Sequence, residues 1–212
     1  PTPRRPEAAA APGLSRRLHW LALSFVPAGL LVGVTLHVTT NLVALPLFWV
    51  VPLVLYLLSF VLVFARRTLL PHAWMVRAQP FLLIVLALEL PFPVQETMPV
   101  VALHLATFFV TAMVCHGELA RRRPEPEQLT EFYLWLALGG VLGGIAAAIV
   151  APLVFDAVVE YPLLLVLACL LRPGVWRAGR WRLAADSAVD LALPALIVLP
   201  PIAIAVSPPV SL

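Results

Sequence analysis

The stretch VALHLATFFVTAMVCHGELARRRPEPEQLTEFYLWLALGGVLGGIAAAIV, residues Val101 to Val150, holds two long apolar runs separated by a connection in which Arg121, Arg122 and Arg123 stand together. Each run is close to the ~20 residues that a helix needs to cross ~30 Å of hydrocarbon. Neither shows the ten-residue alternation of a barrel strand, so both read as membrane helices. Short connections rich in Lys or Arg stay on the cytoplasmic side, and the arginines therefore orient the pair.

Working outward gives seven runs, near 18–40, 42–65, 78–94, 98–119, 132–154, 154–171 and 189–207. All fourteen basic residues are arginines, and threading the runs through a bilayer in order leaves every one on the same side. Arg4, Arg5, Arg16 and Arg17 precede the first run; Arg66, Arg67 and Arg77 lie between the second and third; Arg172, Arg177, Arg180 and Arg182 separate the sixth from the seventh. The connections around Asn41, Glu96 and Asp156 hold no basic residue. This alternation predicts an all-α, polytopic transmembrane bundle of about seven spans with its N-terminus inside and Leu212 outside.

Composition points the same way. A chain that is 62% hydrophobic and 12% charged lacks the polar surface to cover a water-soluble globule, so its partner is the lipid bilayer. The net charge of +3 is the cytoplasmic-loop bias rather than a nucleic-acid surface. Cys115 and Cys169 fall in runs expected to lie apart, and no structural disulfide is expected. Residues 1–15 read as a flexible linker rather than a signal peptide, with the transmembrane domain over 16–212. Both ends look like cuts, so the chain is expected to be a fragment of a larger protein.

Prolines inside the runs, namely Pro27, Pro46, Pro52, Pro152, Pro162, Pro194, Pro200 and Pro201, each remove a backbone donor and tend to kink a helix. Trp20, Trp74, Trp135, Trp176 and Trp181 fall beside the arginine-bearing run ends, where indole favours the headgroup level. The segment Arg172 to Arg182 mixes arginine with tryptophan and is suited to anionic lipid headgroups; its glycines and proline argue against regular structure.

Four places carry polar or packing chemistry. Gly139 with Gly143 and Gly140 with Gly144 are small-xxx-small pairs, which let another helix backbone approach closely. A phosphate-binding loop is excluded by context, because such a loop follows a strand and opens a helix. His116, Glu118, Arg121, Arg122, Arg123 and Glu131 are expected to form a solvated cytoplasmic network, with Thr130 capping the fifth helix and Glu131 in its first turn. Cys115 and His116 diverge by about 100° on a helix and lack the i, i+4 ligand pairing, so no metal site is expected.

The fourth place is the strongest functional hint, since an ionisable group inside a membrane helix is costly. Glu89 in the third run and His104 in the fourth come to one depth if the two helices run antiparallel, in the outer half of the bilayer. Thr35, His37 and Asn41, with Thr39 and Thr40, form a polar strip at the end of the first run. Together these predict a polar pocket opening outward, or else a hydrogen-bonded Glu89–His104 pair that only pins helices.

The blocks CHGELARRRP and LTEFYLWLALGGVLGG (Cys115 to Gly144), APLVFDAVVEYPLLLVLACLLRP (Ala151 to Pro173) and RRLHWLALSFVPAGLLVGVTLHVTTNLVALPLFWVVPLVLYLLSFVLVFA (Arg16 to Ala65) resemble the membrane half of bacterial fused transporter-like/spermidine-synthase-like proteins. The resemblance implies a multi-pass protein of the bacterial inner membrane, with further helices and a soluble aminopropyltransferase-like domain elsewhere in the full-length chain. No catalytic motif and no cofactor site of that domain stands in this sequence. Besides an anchor for such a domain, a secondary transporter of major-facilitator type and a ligand-free membrane scaffold are the alternative functions. The scaffold predicts that Glu89 and His104 tolerate apolar replacement together.

Overall fold

The computed structural model describes residues 12–41, 47–65, 70–89, 98–155, 160–173, 176–177 and 180–181, with positions 192 and 195. Apart from one two-residue ladder, its regular elements are helices: α1 (Leu14–Asn41), α2 (Val50–Phe64), α3 (His72–Glu89), α4 (Met98–Arg121), α5 (Leu129–Ile145), α6 (Ala151–Val154) and α7 (Glu160–Leu170). A 3₁₀ turn over Pro126–Gln128 leads into α5, and a π turn over Ala146–Val150 joins α5 to α6. Three stretches are long and apolar enough to cross a membrane: Leu14–Thr40, Met98–Arg121 and Pro126–Val154. The other two apolar helices, α2 and α7, are shorter; the 11 residues of α7 rise only about 17 Å.

α1 is the hub. Leu23, Val26, Leu30, Val34 and Val38 recur at three- and four-residue spacing and are buried, because α5, α4, α7 and α2 all pack around this helix. α3 lies against α4 on the far side, joined through the buried Leu83, Leu86 and Ala87. The outward faces stay apolar, as at Leu134, Val141, Ile149 and Leu153, which is how a helix in lipid differs from one in water.

The run boundaries move for local reasons. α1 begins at Leu14, where the Gly13 carbonyl accepts from the N–H groups of Arg16 and Arg17. α2 begins only at Val50, because Leu47 takes φ 67°, a left-handed conformation a leucine avoids and a helix cannot contain. α3 (His72–Glu89) starts earlier than the run at 78, and the end of that run, 90–94, lies outside the described residues: Trp74 N–H bonds the Pro71 carbonyl, and the polar first turns are helical although hydropathy does not mark them. Glu89 stands at the end of the described part of α3. The fifth run starts three residues early at Leu129 and the sixth starts late at Glu160. The seventh run apart from positions 192 and 195, residues 1–11 of the linker and the connections at Arg66, Glu96 and Asp156 lie outside the described residues, whereas Leu14 and Ser15, expected at the end of the linker, open α1.

Prolines divide by position. Pro52 and Pro162 sit in the first turns of α2 and α7, where no intrahelical donor is required, so they do not kink anything. Pro27 lies inside α1. Pro152 follows the π turn, whose wider ring accommodates the missing N–H and the crowded carbonyl before it. Pro46, Pro194, Pro200 and Pro201 are outside the described residues.

The arginine-bearing ends of the helices meet at one end of the bundle. Arg17 at the start of α1 pairs with Glu131 at the start of α5. His72 at the start of α3 reaches Glu118 near the end of α4, and Arg172 beyond α7 donates to the Val76 carbonyl of α3 at 3.1 Å. The segment after Arg172 does contain regular structure, an antiparallel ladder pairing Trp176 with Trp181 and Arg177 with Arg180.

Candidate functional site

At the end of the bundle away from the arginines, four helices each contribute one polar side chain. His104 of α4 is fully buried, with its Nδ1 3.0 Å from the Tyr161 hydroxyl of α7 and its Nε2 3.3 Å from Glu89 Oε2 of α3. The His37 ring of α1 lies 4.6 Å from the His104 ring and 5.2 Å from Tyr161, nearly parallel to the latter at 24°. A neutral imidazole has one donor and one acceptor nitrogen. With Glu89 ionised, Nε2–H faces the carboxylate and Nδ1 accepts from Tyr161. Glu89 keeps its side chain 22% exposed, so one edge of the cluster opens outward while its centre is closed.

The structure therefore brings Glu89, His104 and His37 together and sets Thr35 apart. Residues two positions apart on a helix point about 200° away from each other, and Thr35 lines a separate cleft of about 580 Å³ with Thr39, Trp49, Leu53 and Ala148. Its hydroxyl donates to the Leu31 carbonyl at 2.6 Å, as Thr39 does to Thr35 at 2.7 Å, so neither offers a free donor. Asn41 closes α1, and its side chain is outside the described residues. Tyr161 was not foreseen; the signal for it is the Glu160-Tyr161-Pro162 step opening an otherwise apolar run.

The opposite end divides the expected cytoplasmic network into three parts. Glu118 is buried rather than solvated: His72 Nε2 lies 2.9 Å away, Arg122 Nε and Nη2 lie 3.1 Å away, and Arg121 lies at 3.9 Å. Gly117 makes this possible, since a Cβ there would strike the His72 ring. His116 points elsewhere, stacked 3.7 Å from the Phe60 ring, with Nδ1 2.8 Å from Ser59 Oγ of α2. Glu131 pairs with Arg17, a residue of α1, while Arg123 is exposed. Thr130 does not cap α5, because the preceding 3₁₀ turn moves the cap position to Gln128 and leaves Thr130 exposed inside the helix.

The two glycine pairs separate in the same way. A Cβ on Gly139 would strike Ser24 Oγ and the Leu21 carbonyl, and one on Gly143 would strike the Phe25 carbonyl and come within 3.1 Å of Gly29 N. Gly140 and Gly144 face open space. Gly29 and Gly33 of α1 form the matching pair that sequence reading passed over: Cβ atoms there would lie 3.0 Å from Leu164 and 3.4 Å from Tyr161 of α7. Trp20 is likewise no headgroup anchor. It is completely buried, with Phe132 edge-on at 5.1 Å and the Arg16 guanidinium over its ring at 5.1 Å, while Trp74 is exposed.

Both cysteines are buried and neither is in a disulfide, and no three His, Cys, Asp or Glu side chains converge as metal ligands among the described residues. The class these features define is an all-helical chain with apolar helices of membrane-crossing length. No family model matches the chain, and no curated protein or solved structure matches it.

Proposed function

We propose that this chain is the multi-pass membrane portion of a larger bacterial inner-membrane protein, with about seven spans and its N-terminus inside. Its arginine-bearing end faces the cytoplasm and carries the lipid-facing segment Arg172 to Arg182 at anionic headgroups. Following the resemblance of its sequence blocks, its role is to hold a cytoplasmic aminopropyltransferase-like domain. The observation that supports this reading is the gathering of Arg17, Arg121, Arg122 and Arg172 at one end of the bundle, which satisfies the positive-inside rule without further adjustment.

Single cysteines test the orientation. A cysteine at position 123 is expected to resist an impermeant maleimide in intact cells and react after lysis, whereas one at position 49, at an exposed residue, is expected to react before lysis. Labelling of position 123 in intact cells would sink the proposal. A secondary transporter is the second reading, favoured by the buried Glu89–His104–Tyr161–His37 cluster, because ionisable side chains inside a membrane bundle mark substrate and ion routes.

A further inference from the structure

α4 carries a polar stripe along its buried face. His104, Thr107, Thr111, Cys115 and Glu118 follow one another at spacings of three and four, so they share one side of the helix, and each is at most 5% exposed. From His104 to Glu118 the stripe rises about 21 Å, most of the ~30 Å of a hydrocarbon core. Each end meets a carboxylate–imidazole pair shared with α3: Glu89 with His104 at 3.3 Å, and His72 with Glu118 at 2.9 Å. These two pairs fix the antiparallel register of α3 on α4. They place the fully buried Gln79 within a turn of Thr111, midway between them.

The middle of the stripe holds polar atoms without hydrogen bonds, as do Trp20 Nε1 and His116 Nε2 elsewhere in the bundle. Among the described residues, both polar atoms of Gln79 and the Thr111 hydroxyl are buried with no hydrogen-bond partner, and so is His104 Nε2. Other buried hydroxyls bond the preceding turn of their own helix, as Ser24 of α1 does to the Leu21 carbonyl at 3.0 Å and Thr107 of the stripe does to the Leu103 carbonyl at 2.8 Å. An unsatisfied polar group in a membrane interior costs several kcal/mol, whereas a buried water satisfies two to four such groups at once. A seam built only to pack would carry apolar residues at positions 79 and 111.

We propose that this stripe is a transmembrane proton path, entered at Glu89 and His104 and left at Glu118 and His72, with water ordered by Thr111 and Gln79 carrying the proton across the middle. Every transfer breaks one O–H or N–H bond and forms another, so each proton taken up at one end is matched by one released at the other. His37 and Tyr161 face the outer pair from α1 and α7. Arg121 and Arg122 face the inner pair from α4, and His19 of α1 is within electrostatic reach of Glu118. The inference rests on the membrane-spanning reading, which the cysteine labelling tests by itself.

The purified chain in phosphatidylcholine vesicles loaded with the pH dye pyranine, under a valinomycin-driven potassium potential, is expected to pass protons about tenfold faster than protein-free vesicles, or more. Thr111→Val and Gln79→Leu should each return the rate to that of protein-free vesicles. Both remove unpaired buried polar atoms, so both should fold with unfolding midpoints equal to or above that of the parent. Parent vesicles no faster than protein-free ones would overturn the path, and so would folded Thr111→Val and Gln79→Leu proteins that conduct like the parent.

Discussion

Where α5 lies on α1, Gly139 and Gly143 press against the backbone of Leu21, Phe25 and Gly29; where α3 lies on α4, imidazole, carboxylate, hydroxyl and amide groups fill the contact. Beyond the Arg17–Glu131 pair at its end, the stretch of the first seam from Leu21 to Gly29 contains no ionisable side chain, and the Ser24 hydroxyl there is already bonded to its own helix. Lipid tails are as apolar as leucine, so helices gain little by exchanging lipid for each other unless their backbones come close. Glycine supplies that closeness at α1–α5. The α3–α4 seam has polar groups instead, some paired and some not, and these set its chemistry as much as its stability.

The largest effect is expected at the glycine seam. Gly143→Leu places a side chain where the Phe25 carbonyl stands, an obstruction that is backbone and cannot rotate away. A loss of at least about 3 kcal/mol follows, because overpacking a site with no room is at the upper end of such penalties. Thermal unfolding in detergent should show it directly. Gly140→Leu, one residue away and facing open space, is the control: an equal loss there would mean that the helix face is misassigned.

The next effect tests the polar seam. Glu118→Ala removes the acceptor shared by His72 and Arg122 and is expected to cost about 2 kcal/mol, in the range of hydrogen bonds to a charged group. Arg122 is one-third exposed and can return to water, which keeps the loss below that of a fully buried pair. An unchanged unfolding midpoint would show that the inner pair contributes nothing to holding α3. The smallest effect is at the lipid face, where Leu142 is 39% exposed: Leu142→Ala should stay within about 0.5 kcal/mol of the parent by the same measurement.

Much of this arrangement is legible in the residues. Long apolar runs and one-sided arginines anticipate helices whose arginine ends meet, and antiparallel counting along the sequence brings Glu89 and His104 to one depth. What cannot be read is which face of a helix turns inward. Gly139–Gly143 and Gly140–Gly144 are equivalent as sequence, and only the packing of α1 distinguishes them. Thr35 and His37 belong to one polar strip in the sequence, yet a helix sends them to different neighbours. His72 and Gln79 precede or open a run defined by hydropathy, which hides them, and the burial of Trp20 is illegible because it depends on Phe132, over a hundred residues away. Seven spans and the inward N-terminus remain readings of the arginine pattern; the structure itself holds three helices of crossing length among the described residues.

The π turn over Ala146–Val150 has a consequence for the far half of the same seam. Gly139, Gly143, Ala147 and Ala151 are all buried at a strict four-residue interval, though a regular helix of 3.6 residues per turn would carry such a series steadily around its circumference. An i→i+5 turn takes up more residues in each revolution, and placed after Gly143 it cancels that drift. Four small residues thus stay on one buried track along the helix, with Gly139 and Gly143 against α1. Lengthening or shortening the turn by one residue would leave the helix continuous but derail the track at Ala151.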